Sequence, residues 1–163
     1  MPSAKLTAVA LIAVAWLALW PSAGAADPVE DDAAASKLDP DYAAGTRAID
    51  AKDWPTAIKA LNSAALRDTR NADIQNYLGY AYRKTGQLEP AFKHYRRALE
   101  LNPRHRGAHE YIGEAYLMVG DLAGAQKHLD ALRTICLLPC EELADLERQV
   151  ADYVKKSGAG RSR

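Results

Sequence analysis

The chain reads Tyr77-Leu78-Gly79-Tyr80-Ala81-Tyr82, followed by Gly86, Ala91, Tyr95, Ala98 and Pro103. Gly79 recurs as Gly45 upstream and Gly113 downstream at an interval of 34 residues, and Ala57, Ala91 and Ala125 each follow their glycine by twelve. Two columns sharing one period mark a repeated unit, which decides the fold before any local reading. Gly79 and Ala91 fall on facing helices, where such small residues let two backbones approach closely enough for large neighbours to interlock. Gly86 and Gly120 stand where the first helix of a pair should stop, since glycine readily enters the left-handed conformation after a helix end. Asp121 then caps the next helix. In the first unit Asp53 is the N-cap and Pro55 lies in the first turn, where its missing donor matters least. Lys52 takes the glycine position there, which predicts a strained or reshaped turn.

These columns resemble the tetratricopeptide repeat. A large residue before Leu78-Gly79, then Tyr82, Gly86, Ala91, Tyr95, Ala98 and Pro103 match its pattern, with Gln75 at the usual Trp position. The third unit keeps Ile112-Gly113, Tyr116, Gly120, Ala125 and Leu129, while Leu132 and Leu137 replace the second small residue and the proline. The first keeps Gly45, Ala57, Leu61 and Ala64, with Ala44, Ala48 and Thr69 where Leu, Tyr and Pro would stand. The resemblance implies an all-α solenoid of three hairpins, in units 38–71, 72–105 and 106–139. The helices are predicted at 39–52 with 55–68, 73–85 with 88–101, and 107–119 with 122–135. No strand signal competes.

A stacked array exposes the apolar face of its last unit, and an amphipathic helix is needed to cover it. Leu143, Leu146, Val150, Tyr153 and Val154 make one apolar stripe from Glu141 to Lys155, so residues 140–156 are predicted as a capping helix. The acidic, Ala-rich stretch 27–37 and the Gly/Ser/Arg-rich stretch 157–163 carry too little apolar surface to fold. At the start, Lys5, the apolar run Leu6 to Trp20 and the small residues Ala23-Gly24-Ala25-Ala26 predict a secretory signal over residues 1–26, cleaved near Ala25 or Ala26. The run is short for a membrane span. The expectation is a periplasmic or secreted protein rather than one anchored in the inner membrane. Membrane contact is expected only through an uncleaved signal.

With 21 basic and 21 acidic residues in 163, the chain has no excess positive field to hold nucleic acid, and no nucleic-acid partner is expected. It shows no phosphate loop, no nucleophile elbow and no His-Glu-x-x-His pattern, so no catalytic residue is assigned. Cys136-Leu137-Leu138-Pro139-Cys140 places three residues between the thiols, unlike the two-residue redox motif. Pro139 ends the preceding helix, so the turn can bring the two Cα atoms within disulfide range, and a structural Cys136–Cys140 bridge is expected in an oxidising compartment. A reactive pair and buried free thiols are the alternatives. Cys136, Cys140 and His128, or His105 and His109, fall short of four zinc ligands at recognisable intervals, and no metal or cofactor is expected.

Most tyrosines belong to packing columns. In the resembled family the inner face of each first helix lines a concave groove. The matching positions here are Tyr42, Thr46 and Ile49; Asn76, Tyr80, Arg83 and Lys84; and Glu110, Glu114 and Leu117. Such a surface suits a peptide or an exposed helix with charge of its own. Leu117 and Met118 could instead lie under the cap. It differs from the basic clamp by which some family members hold C-terminal carboxylates, because Tyr42, Thr46, Tyr77, Gly107 and Tyr111 stand at those positions. The resemblance therefore implies a protein-interaction scaffold with a protein or peptide partner. The alternative is a thiol- or metal-handling accessory protein centred on Cys136 and Cys140.

Overall fold

A computed structural model describes residues 39–159; the signal and acidic stretch assigned to residues 1–37 lie outside them. Within that span the chain forms α1 (Pro40–Asp50), α2 (Trp54–Arg67), α3 (Ala72–Lys84), α4 (Leu88–Leu101), α5 (Arg106–Met118), α6 (Leu122–Ile135) and α7 (Glu141–Ala159), with no strand among the described residues. The architecture is an all-α solenoid of three hairpins, α1–α2, α3–α4 and α5–α6, closed by α7.

Side-chain caps set the starts of these helices. Asp39 accepts from the amides of Asp41 and Tyr42, Asp53 from Thr56, Asn71 from Ile74 and Asp121 from Gly124, each satisfying donors the helix leaves open. Arg67, at the far end of α2, pairs with Asp39 at 2.7 Å and ties the ends of the first hairpin together. The three intra-hairpin turns share one backbone solution: Gly86 and Gly120 have φ of 76° and 80°, and Lys52 adopts 58°. The turn chemistry is thus conformational, and Lys52 meets it at the steric cost of a Cβ in the left-handed region.

Packing follows the small-residue columns. Ala57, Ala91 and Ala125 have no exposed surface, and fully buried Leu61, Ile74, Leu78, Tyr95, Ile112 and Leu132 fill the space around them. A Cβ on Gly45 would lie 2.6 Å from Leu61, and one on Gly79 would lie 2.6 Å from the Tyr95 ring. In the third hairpin the corresponding space beside Gly113 is filled from outside, by Leu146 of α7 at 2.7 Å. Leu146 and Val150 are buried and Leu143 packs against the same cluster, whereas Val154 is exposed.

α7 runs to Ala159, past the end expected at Lys155 and into the stretch read as unstructured. Its last turns carry Lys155 and Lys156, which complement the negative end of the helix. The helices expected at 88–101 and 122–135 have those limits, and the others differ from expectation by a residue or two, as end turns commonly do.

Cys136 and Cys140 are joined between α6 and α7, with Cα atoms 6.0 Å apart. So short a loop contributes about 2 kcal/mol by the chain-entropy estimate. Cys136→Ser/Cys140→Ser should therefore lower the stability of the cap by about that amount and leave the helical content intact. Mass spectrometry without reductant should find the unsubstituted protein two hydrogens lighter than the dithiol, and two free thiols there would refute the bridge.

Candidate functional site

The first helices of consecutive hairpins touch one another, so α1, α3 and α5 form one continuous inner face, and α7 packs against α5 at its end. The centre of that face is aromatic. Tyr80 on α3 sits between Trp54 at the start of α2, with ring centres 5.9 Å apart, and Tyr111 on α5 at 4.9 Å. The guanidinium of Arg83 lies 5.3 Å from the Tyr80 ring and 5.4 Å from Tyr111, within cation–π range of both. Lys84 places its ammonium 5.1 Å from the same Tyr80 ring, but from an exposed position. Tyr80 is thus a half-buried aromatic held by neighbours on three helices.

Arg83 differs from the expected groove-lining charge. It is only 7% exposed, its Nε donates to the Tyr95 hydroxyl at 3.2 Å, and it is ion-paired with Glu114 of the next hairpin. Burial opposes its charge, yet Tyr95 and Glu114 outweigh that and hold the guanidinium more firmly protonated than usual. Arg83 and Glu114 therefore form a buried strut between hairpins. Of the two placements open to Leu117 the structure shows the one under the cap, against Leu129, Leu132 and Leu146, whereas Met118 is exposed. Tyr42 and Ile49 pack against the first core cluster, and Tyr42 meets Tyr77 at 6.1 Å. Thr46 spends its hydroxyl on the carbonyl of Ala43, a bond within its own helix.

Asn76 and Glu110 are buried and border a cleft of about 330 Å³ between the first turns of α3, α5 and α7. A second cleft of about 330 Å³ runs between Arg83, Lys84, Glu114 and the distal half of α7, including Asp152 and Tyr153. The contribution of α7 to this face had no signature in the repeat columns, since α7 lies outside them. The apolar stripe of Leu143, Leu146 and Val150 predicts the docking of α7, but not that its acidic first turn, Glu141-Glu142, borders the first cleft.

The histidines are structural neighbours of the face. His105 caps α5 through Nδ1, which accepts from Ala108 at 3.1 Å, so Nε2 carries the proton it donates to Asp73 at 3.0 Å. His109 donates from Nε2 to the Pro103 carbonyl at 3.0 Å, and its Nδ1 accepts from His128 Nδ1 at 2.9 Å. Burial lowers the pKa of both, that of His128 to about 4, with His109 adding to the effect. Among the described residues no group of three or more His, Cys, Asp or Glu is placed to hold a metal ion.

Stacked helical hairpins with a shared inner face define a helical-repeat solenoid. Residues 72–105 match the family described as Tetratricopeptide repeat, and a second family of that description matches residues 91–136. Tetratricopeptide repeats thus occupy residues 72–136 of the chain. No curated protein matches it in sequence. Among solved structures it is similar to the TPR2B domain of yeast Sti1 in complex with pHsp70, at 21% identity over 77% of this chain and 98% of that one, with a TM-score of 0.65. It is also similar to the type III secretion chaperone SycD of Yersinia enterocolitica in complex with a peptide of the translocator YopD. There the identity is 17%, the coverage 77% and 95%, and the TM-score 0.64. The Sgt2 TPR domain from Aspergillus fumigatus gives 21% identity, coverage of 83% and 84%, and a TM-score of 0.64.

Proposed function

We propose that this protein is a non-catalytic interaction scaffold that binds a peptide or helix of another protein along the inner face of α1, α3 and α5. The observation that carries the reading is Tyr80, a half-buried aromatic fixed between Trp54 and Tyr111 at the centre of that face, with the exposed Lys84 ammonium beside it. Rigid aromatics of this kind dominate interface energetics. The similarity in fold to Sti1 and SycD domains captured with pHsp70 and with a YopD peptide supports the same use of the scaffold.

A phage-displayed peptide library selected on the purified protein tests it. Tyr80→Ala should weaken the selected peptides by at least about tenfold, or roughly 1.4 kcal/mol, while the circular dichroism spectrum stays that of the folded protein. Lys93→Ala/Arg97→Ala, on exposed positions of α4, should leave binding unchanged. Loss of binding in the α4 variant alone would place the site on the outer face and overturn the reading. The proposal includes export to a periplasmic or extracellular compartment, supported by the apolar run Leu6 to Trp20 and by the joined cysteines. Recovery of the chain from the cytosol with its leader intact would overturn that part.

A further inference from the structure

We infer that the outer face of the solenoid, made by α2, α4 and α6, rests on an anionic phospholipid surface through a row of three lysines. Lys59, Lys93 and Lys127 stand at one position of the repeat, 34 residues apart, each two residues after the small alanine of its helix. Packing accounts for the alanines and not for the lysines. Ala57, Ala91 and Ala125 have no exposed surface, whereas all three lysines are exposed, a setting in which a helix accepts almost any polar residue. None of the three forms an ion pair with a described residue.

The balanced charge of the whole chain hides a division by face. Together α2, α4 and α6 carry seven Lys and Arg against three Asp and Glu, whereas α1, α3 and α5 carry four against five and α7 three against five. Arg67 pairs with Asp39, Arg97 with Glu100 at 3.1 Å and Arg133 with Asp130 at 2.9 Å. That leaves Lys59, Lys93, Arg96 and Lys127 on these helices against Glu89 alone. Arg96 is exposed one turn from Lys93, with its guanidinium over the Phe92 ring. Asp53, Asp68 and Asp121 lie at the helix ends, each accepting from a nearby backbone amide. The lysine row thus sits on the face that carries the excess of positive charge.

Shape and chemistry favour a lipid surface over an acidic protein. Consecutive first helices touch while the second helices stand further apart, so this side of the stack curves outward. The clefts described above lie at the inner face and beside α7. A protein partner would have to set acids at fixed places to match an outward-curving row, whereas mobile anionic headgroups gather under any cation near them. Lysine suits this use, because its stem lies along apolar material while the ammonium stays among the phosphates. Leu66 adds an apolar contact: it is 83% exposed on α2, two turns from Lys59 and on the same side of that helix. The contact is separate from the inner face and does not depend on a peptide being held there.

The test is co-sedimentation of the chain from Asp27 onward, which contains every described residue, with vesicles of equal parts phosphatidylglycerol and phosphatidylcholine or of phosphatidylcholine alone. The protein should sediment with the anionic vesicles only, and raising salt from about 0.05 M to about 0.5 M should release it. Lys59→Gln/Lys93→Gln/Lys127→Gln should weaken binding at least about tenfold with the circular dichroism spectrum of the folded protein intact, since each cation near such a surface contributes about fivefold. Arg47→Gln/Lys52→Gln/Lys155→Gln removes the same charge from other exposed positions and should weaken it no more than about twofold. Equal sedimentation with neutral vesicles, equal losses in the two triple variants, or no vesicle binding at all would each overturn the proposal. Retention on immobilised poly-glutamate at the same salt, without vesicle binding, would overturn it in favour of an acidic protein partner.

Discussion

Gly79→Leu is expected to destabilise the protein by more than about 3 kcal/mol, read from urea unfolding followed by Trp54 fluorescence and circular dichroism. The first added carbon alone would stand 2.6 Å from the Tyr95 ring. Tyr95 cannot give way cheaply, since it has no exposed surface and its hydroxyl is tied to Arg83. The leucine must therefore push α3 off α4, which also disturbs buried Leu78 and Ala91. A Gly79→Leu protein as stable as the original would mean that the register of the central hairpin is wrong.

Arg83→Ala should cost about 3 kcal/mol or more, because it leaves Glu114 and the Tyr95 hydroxyl facing each other without their shared donor. The cause is the stranded carboxylate rather than the worth of the pair itself. Arg83→Met/Glu114→Leu should therefore recover much of the loss, as apolar replacements of buried pairs commonly do. The single and double variants compared by urea unfolding decide the matter. Should Arg83→Ala unfold like the original protein yet lose peptide binding, Arg83 is a ligand contact after all and the strut interpretation falls.

The fold was legible because its information is local and periodic. Gly79 with Ala91 set the register, Gly86 and Gly120 the turns, and Leu143, Leu146 and Val150 the covered side of α7. Even Lys52 was visible as the odd member of a glycine column, and its φ of 58° is the strain that column implied. The inner face was less legible. Position along a helix says which way a side chain starts out, but what Arg83 meets depends on Glu114, one repeat further along, and on the height of Tyr95 behind it. Leu117 fitted either the groove or the underside of the cap, and only the docking of α7 decides between them. The acidic cleft was the least visible, because Glu110 and the Glu141-Glu142 pair belong to different units and meet only through the docking of α7.

The seat beside Gly113 carries a meaning for the size of the molecule. In the first two hairpins the hollow at the glycine is filled by that hairpin's own second helix, through Leu61 and Tyr95, whereas at Gly113 the occupant is Leu146 of α7. A period of 34 residues contains no instruction about when to stop. Among the described residues the series of hairpins gives way at this point to α7, whose Leu146 takes the place that Leu61 and Tyr95 hold in the hairpins before it.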